Sequence, residues 1–230
     1  MRQDSYDEIM LIMEGEDPKP PEFSEDIPVS AVYTPPDSRM TVLAGEDYLV
    51  FRLLDRNFQV SARSFFQVNT PIAEKMVQHV LDHLDFSGDP IAVELYAGAG
   101  LFSAFLAPRV KHLTAVESAG SSCHDFAVNL DEFDNVDLYE AEAEEVIPAL
   151  EGPVDILVMD PPRAGLAPEV HDALSKLLTR QIAYVSCDPA TLARDLKKIL
   201  QKGYELISVT PFDQFPQTGH VESITIMSKS

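Results

Sequence analysis

Ile91-Ala-Val-Glu94-Leu-Tyr96-Ala-Gly98-Ala-Gly100-Leu-Phe102 is the stretch whose reading decides the fold. Ile91 to Leu95 is apolar except for Glu94, of strand length, and breaks into a turn containing two glycines. A helical rhythm follows from about Leu101. Glycines at such a turn let the backbone bend sharply and let a ligand come close. Strand, glycine turn and helix form the opening unit of an α/β sheet.

Working outward, the same alternation repeats. The sequence predicts a helix from Thr70 to about Leu84, opened by Thr70 as N-cap and Pro71 at the first helical position. Strands are expected at His112–Glu117, Val136–Tyr139, Val154–Met159 and Ile182–Ser186. The helices between them are Gly120–Asp131, Glu142–Leu150, Pro168–Leu178 and Asp188–Gln201. Tyr204–Val209 and Ser223–Met227 read as two last strands with no room for a helix between them. This pattern predicts a doubly wound, mostly parallel α/β sheet with an antiparallel end. Residues 1–62 read instead as an irregular β-rich segment. Its apolar runs, Glu8–Met13, Thr41–Leu43 and Tyr48–Leu54, are separated by the proline-rich Asp17–Pro21, Pro28 and Pro35-Pro36. Two units are therefore expected, 1–62 and 63–230.

The chain has 230 residues, 38 acids against 17 Lys and Arg, and a formal charge of -21. By charge alone, nucleic acid is the last partner to expect. The charge is uneven, however: residues 112–162 hold thirteen acids and no lysine or arginine, whereas residues 163–230 are close to neutral. No apolar run is long enough for a membrane span. The nearest, Ile91 to Ala107, contains Glu94, Gly98 and Gly100. The acidic start carries no signal-peptide pattern. Cys123 and Cys187 are too few for a disulfide framework or an iron–sulfur site, so a reducing, cytoplasmic setting is expected. His79 and His83 share a helix face without a third ligand, so no metal site is expected.

The glycine turn lacks the third glycine of a dinucleotide fingerprint; Ser103 stands there. An acid precedes Gly98 by four, and Glu117 ends the next strand, where a carboxylate can bridge ribose hydroxyls. That arrangement fits S-adenosylmethionine (SAM), which has no pyrophosphate to cradle, on a Rossmann-like fold. Asp160-Pro-Pro-Arg163 follows the fourth strand at the carboxyl edge, where α/β sites assemble. Arg163 stands where amino-methyltransferases place an aromatic residue, which argues against N-methylation. Cys187 ends the fifth strand and precedes a helix N-terminus. The dipole there favours a thiolate, while Asp188 opposes it. Cys123, mid-helix, reads as core.

A thiol beside a SAM site suits methylation of a pyrimidine at C5. That carbon is a weak nucleophile until a thiolate adds at C6. A base must then remove the C5 proton, and Asp213, His220 and Glu222 are all candidates. Phe65 and Phe66 read mainly as packing. Arg194, Lys197, Lys198 and Lys202 form a modest basic helix face able to meet phosphate.

Five ordered segments resemble the SAM-dependent RNA uracil-5-methyltransferases, the family of the tRNA T-loop and 23S rRNA enzymes. They are Ser64-Phe-Phe-Gln67-Val-Asn69, Glu94 to Gly100, Asp160-Pro-Pro-Arg163-Ala-Gly165, Ser186-Cys187 through Asp195, and Asp213-Gln-Phe-Pro-Gln-Thr-Gly-His220-Val-Glu222. The resemblance implies the class I SAM methyltransferase fold, Cys187 as nucleophile and Glu222 as base. It places Gln67, Tyr96, Gly98, Gly100, Glu117 and Asp160 at SAM, with Glu142 near the adenine. Arg163, Asp213 and His220 would support the uracil or the catalytic pair. Leu101 stands where members often have a polar Asn. Members usually carry an N-terminal RNA-binding β-barrel, and some a four-cysteine iron–sulfur site; residues 1–60 match neither. The expected substrate is a flipped or single-stranded uridine of tRNA or 23S rRNA, bound by a monomer. The alternative is a catalytically inactive SAM- or RNA-binding remnant.

Overall fold

Strands buried on both faces must be apolar along their whole length, and four of the central ones are nearly so. The structure, a computed structural model, describes residues 1–17, 19–22, 29–35, 40–150, 152–177 and 179–229. Pro18, Pro28 and Pro36 of the expected linker, and Leu178 at the expected end of a helix, lie outside the described residues.

In chain order the strands of the C-terminal part are β7 (Ile91–Leu95), β8 (His112–Glu117), β9 (Val136–Glu140), β10 (Ile156–Met159), β11 (Gln181–Ser186), β12 (Glu205–Phe212) and β13 (Glu222–Ser228). They form one sheet in the order β12-β13-β11-β10-β7-β8-β9. Strands β7 to β11 pair in parallel, whereas β13 runs antiparallel to both β11 and β12. The chain winds outward from β7 through β8 to β9, then restarts at β10 on the other side. The switch point between β7 and β10 opens a crevice at the carboxyl edge.

Side chains alternate across the sheet into two cores. Ala92, Ile156 and Val158 face one core with helix α1 (Thr70–His83), α2 (Ser103–Leu106) and α3 (Gly120–Asn129). Val93, Leu95, Leu157 and Met159 face the other, with α4 (Ala143–Val146), α5 (Pro168–Leu174) and α6 (Pro189–Leu200). Three of the expected helices shrink: α2 and α4 are one turn each, continued by 3₁₀ turns at Ala107–Arg109 and Ile147–Ala149, and α5 ends at Leu174.

Helix α1 also starts one residue earlier than expected. Asn69, not Thr70, is its N-cap, since the Asn69 carbonyl accepts from Ile72 N and Ala73 N. The Asn69 side chain does not cap; its Nδ2 donates to the Gln214 carbonyl at 3.2 Å. That amide is committed to a loop 145 residues away.

The N-terminal part contains β1 (Arg2–Gln3), β2 (Ile9–Glu14), β3 (Ser30–Thr34) and β4 (Thr41–Ala44) in one sheet, then a hairpin of β5 (Tyr48–Leu53) and β6 (Arg56–Ser61). The sequence missed the two-residue β1 as well as β3 and β6. The hairpin's Phe51, Phe58 and Val60 join the α1 core. Two buried polar residues of α3 bind it further. Asp125 accepts from Ser61 N and Ser61 Oγ, at 2.8 and 2.5 Å. Asn129 exchanges hydrogen bonds with the Gln59 backbone and donates to Ala99 O at 2.9 Å. The glycine turn is thereby tied to β6, which leads into Ser64–Asn69.

Candidate active site

Four strand ends converge on one cavity of about 750 Å³, open at the carboxyl edge. Antiparallel β13 is what completes it. Its register pairs Ser223 with Ser186 of β11, so Glu222 begins at the edge where Cys187 ends the facing strand. Of the expected residues, Gln67, Tyr96, Gly98, Glu117, Asp160, Arg163, Cys187, His220 and Glu222 line this cavity, as do Glu142 and Leu101. Gly100 and Asp213 do not line it. Asp213 is exposed.

The glycines have separate tasks. Gly98 sits at φ +55° with nothing within 4 Å of where a Cβ would stand. Gly100 sits at φ +89°, and a Cβ there would overlap Leu130 and lie 3.1 Å from Phe126. Gly98 thus leaves ligand space, whereas Gly100 lets the turn close onto α3. Tyr96 also holds a positive φ, +62°, which costs about 1–2 kcal/mol for a residue with a side chain. Its hydroxyl donates to Glu144 at 3.3 Å.

The carboxylates differ in environment. Glu94 is buried and accepts from the Ser103 hydroxyl, which gives a role to the residue standing in place of a third glycine. Burial, with the nearby Asp160 and Glu117 charges, pushes its pKa to about 8 against the Ser103 bond. Asp160 is pushed up to about 7, by burial first and then by Glu222. Glu222 is itself raised by burial. Glu117 accepts from Gly98 N through Oε2 at 2.8 Å, and from Ser118 N and Ala119 N through Oε1 at 3.0 and 2.8 Å. A carboxylate offers about four acceptor positions, so one position on Oε2 remains for a hydroxyl. Bridging two hydroxyls requires Glu117 to release a backbone bond.

Cys187 is half-buried. Its thiol is raised above the usual value by burial, then by Glu222 and Asp160, with Arg163 opposing weakly. The helix dipole that would favour the thiolate is already answered. Asp188 caps α6 by accepting from Ala190 N and Thr191 N, both at 2.9 Å. The resting side chain is therefore a thiol at neutral pH. Exposed Arg163 lies 3.9 Å from Asp188.

Two lining aromatics, read from sequence mainly as packing, behave differently from each other. Phe65 and Phe66 split: Phe66 packs at 5.3 and 5.5 Å from the Phe51 and Phe58 rings, while Phe65 stays 65% exposed at the mouth. Adjacent aromatics offer no period from which to tell them apart. Phe215 meets His220 edge-on at 6.3 Å. Gln214, buried beneath the cavity wall, donates to Gln67 Oε1 at 3.0 Å, which turns the Gln67 amino group free of that bond. The volume fits a small-molecule site of roughly 300–1,000 Å³. With the open Gly98 and the acceptor on Glu117, these residues fit a nucleoside-bearing cofactor such as SAM.

Comparison with known proteins finds relatives over most of the chain. Residues 38–230 match the family model described as tRNA (Uracil-5-)-methyltransferase. An uncharacterised RNA methyltransferase of Clostridium tetani is 38% identical over 192 residues, covering 81% of this chain and 42% of that protein. One from Enterococcus faecalis is 35% identical over 225 residues, covering 91% and 49%. The chain thus spans about half the length of the curated relatives it matches. Among solved structures, the Pyrococcus abyssi tRNA (uracil-54, C5)-methyltransferase, in complex with S-adenosyl-L-homocysteine, superimposes with a TM-score of 0.78. The identity is 26%, over 98% of this chain and 58% of that one.

Proposed function

The chain belongs to the tRNA (uracil-5-)-methyltransferase family, and on that premise we propose that it carries a methyl group from SAM to C5 of a uridine in tRNA or 23S rRNA. The observation that carries this reading is the meeting of Cys187, Glu222, Asp160 and Glu117 around one cavity. Gly98 and Glu117 would hold the nucleoside of SAM, with Gln67, Tyr96 and Asp160 around the rest. When bound, SAM supplies an electrophilic methyl on its sulfonium sulfur.

The uridine must leave its stack to reach a thiol at this depth. Cys187 gives up its proton to water at the open mouth of the cavity and its sulfur adds to C6, forming an S–C6 bond and moving the ring electrons toward C5 and O4. C5 would take the methyl group, and S-adenosylhomocysteine would be left as the methyl–sulfur bond breaks. Glu222 then removes the C5 proton, and the returning electron pair expels the Cys187 sulfur from C6. Burial suits Glu222 to this task, since a raised pKa makes its carboxylate a stronger base. Arg163 and His220 line the same mouth and would hold the pyrimidine and its phosphate.

The test uses RNA substituted with 5-fluorouridine. Fluorine cannot leave as a proton, so turnover stops at the covalent adduct. With SAM present, a stable protein–RNA band is expected, and Cys187→Ala should abolish it. A band surviving that change would sink the assigned nucleophile. No band with any RNA would favour a binding protein without catalysis, the reading that apolar Leu101 at the cavity wall supports.

A further inference from the structure

One buried carboxylate behind the cavity wall gathers donors from four neighbouring segments of the chain. Asp195 lies within the buried stripe of α6, between Leu192 and Ile199, and is fully buried. An acid in such a stripe must be hydrogen-bonded or it destabilises the fold. Its Oδ2 accepts from Leu166 N and from the Tyr184 hydroxyl, both at 2.9 Å. Its Oδ1 accepts from His171 Nε2 at 3.1 Å and Arg194 Nε at 2.9 Å. These donors come from the turn after β10, from β11, from α5 and from α6 itself.

Burial is the largest influence on Asp195 and pushes its pKa up, but the Leu166, Tyr184, Arg194 and His171 bonds together outweigh it and hold the group ionised. His171 is lowered, chiefly by burial, against the opposing pull of Asp195. Its Nδ1 is buried without a partner, as suits a neutral ring carrying its proton on Nε2.

The turn after β10 is laced to α6 at successive residues. Thr191 Oγ1 donates to Arg163 O at 3.0 Å, Arg194 donates to Ala164 O at 2.8 Å, and Asp195 takes Leu166 N. Gly165, at φ +76°, sits so close that a Cβ would overlap Asp195 Oδ2. The front of this turn is Asp160-Pro-Pro-Arg163, which lines the cavity, and the front of α6 follows directly on Cys187. Asp195 itself does not line it.

We propose that Asp195 is a positioning residue of this site, fixing the register of the Asp160–Arg163 turn against the Cys187 end of α6. It rests on the reading of Cys187 as nucleophile. By this register Asp195 sets how near the Asp160 carboxyl and Arg163 guanidinium stand to the thiol. A misplacement of about 1 Å can cost roughly a hundredfold in rate, so a group remote from the reacting atoms has leverage over them.

The test is Asp195→Asn, which keeps the size but turns an amino group toward donors. Methyl transfer to uridine-containing RNA should fall roughly tenfold to a hundredfold in kcat, with KM for SAM within about twofold. A second arm needs neither RNA nor SAM: iodoacetamide alkylation of Cys187 against pH, read by mass spectrometry of its peptide. The groups facing the thiol are Glu222, Asp160 and Arg163. As the turn loosens, burial and Asp160 relax their hold, and the onset of alkylation should move to lower pH. Should Asp195→Asn fail to fold, Arg194→Met carries the test, since that side chain is about half exposed and its loss removes the Ala164 bond. An unmoved alkylation profile and kcat in the folded variant would overturn the proposal. A parent chain that transfers no methyl group defeats the proposed function alone, because the alkylation arm still reports the register.

Discussion

Gly98 and Gly100 sit two residues apart, both at positive φ, and the structure separates their roles sharply enough to test. Placing an alanine at either position forces a side chain into the left-handed region, at roughly 1–2 kcal/mol. At Gly98 that is the whole structural cost, because no atom stands within 4 Å of the new carbon. At Gly100 the carbon overlaps Leu130 and crowds Phe126, both in the core under the turn. Overpacking of this kind adds roughly 1–3 kcal/mol. For a protein of this size each kcal/mol shifts the melting temperature by roughly 2–4 °C. Gly100→Ala should therefore melt about 2–12 °C below Gly98→Ala. Any gain from stiffening the unfolded chain is common to both and cancels. Ligand binding should show the reverse order. Gly98→Ala puts a methyl into the cavity and should weaken S-adenosylhomocysteine binding in calorimetry more than Gly100→Ala does. Equal melting temperatures, or a Gly98→Ala protein that binds with parental affinity, would refute the division of labour between the two glycines.

Glu94 holds its proton in the folded chain up to about 8 and loses it near 4.5 when unfolded. Across that window the folded state binds a proton that the unfolded state lacks, so this residue makes stability fall as pH rises. Glu94→Gln has no proton to lose, and its melting temperature should gain on the parent's steadily from about pH 5 to pH 8; a gap that stays constant would count against it. Glu222→Gln should accumulate covalent adduct on ordinary uridine RNA, visible as a band without fluorine; unchanged turnover would mean that another group is the base. The same variant removes a charge that raises the Cys187 thiol, so alkylation of Cys187 should begin at lower pH, and a shift upward would contradict the electrostatics.

The parallel sheet was legible because burial on both faces leaves a mark that sequence can carry. Val154–Met159 and Ile182–Ser186 are apolar runs ended by Asp160-Pro-Pro and Cys187-Asp-Pro, and both strands formed there. Strand β6 was missed because the turn before it uses Leu54 at φ +53°, with none of the Asn-Gly chemistry that usually marks a hairpin. The one-turn helices α2 and α4 were overdrawn because their apolar pattern continues through a 3₁₀ turn. The site divides in the same way. Each motif could be placed at a strand end, but that Cys187 and Glu222 face one cavity depends on the Ser186–Ser223 register, a pairing across 37 residues that no spacing announces. The state of the thiol was likewise hidden. A helix start is readable, whereas the Asp188 side chain spending the dipole on its own cap is a matter of rotamer.

Charge can now be argued from position. Ten of the thirteen acids of residues 112–162, from Glu117 to Glu145, belong to β8, α3, β9, α4 and their loops, on one side of the switch point, while Asp155 and Asp160 flank β10. Exposed Arg163, Lys197 and Lys198 lie on the other side, along the turn after β10 and the helix that follows Cys187. Arg194, on the same face, is already engaged by Asp195 and Ala164. RNA entering the cavity mouth should therefore track the α6 side and be repelled from the β9 side. Three available cations imply about three neutralised phosphates, so the log of affinity for single-stranded RNA should fall with the log of salt at a slope of about -2. Binding measured by fluorescence anisotropy across a salt series gives this number directly. Replacing Lys197 and Lys198 with alanine together should flatten the slope by about 1.4. A parental slope steeper than about -5 would mean that phosphates are held elsewhere on the chain, and would remove the α6 side as the path of approach.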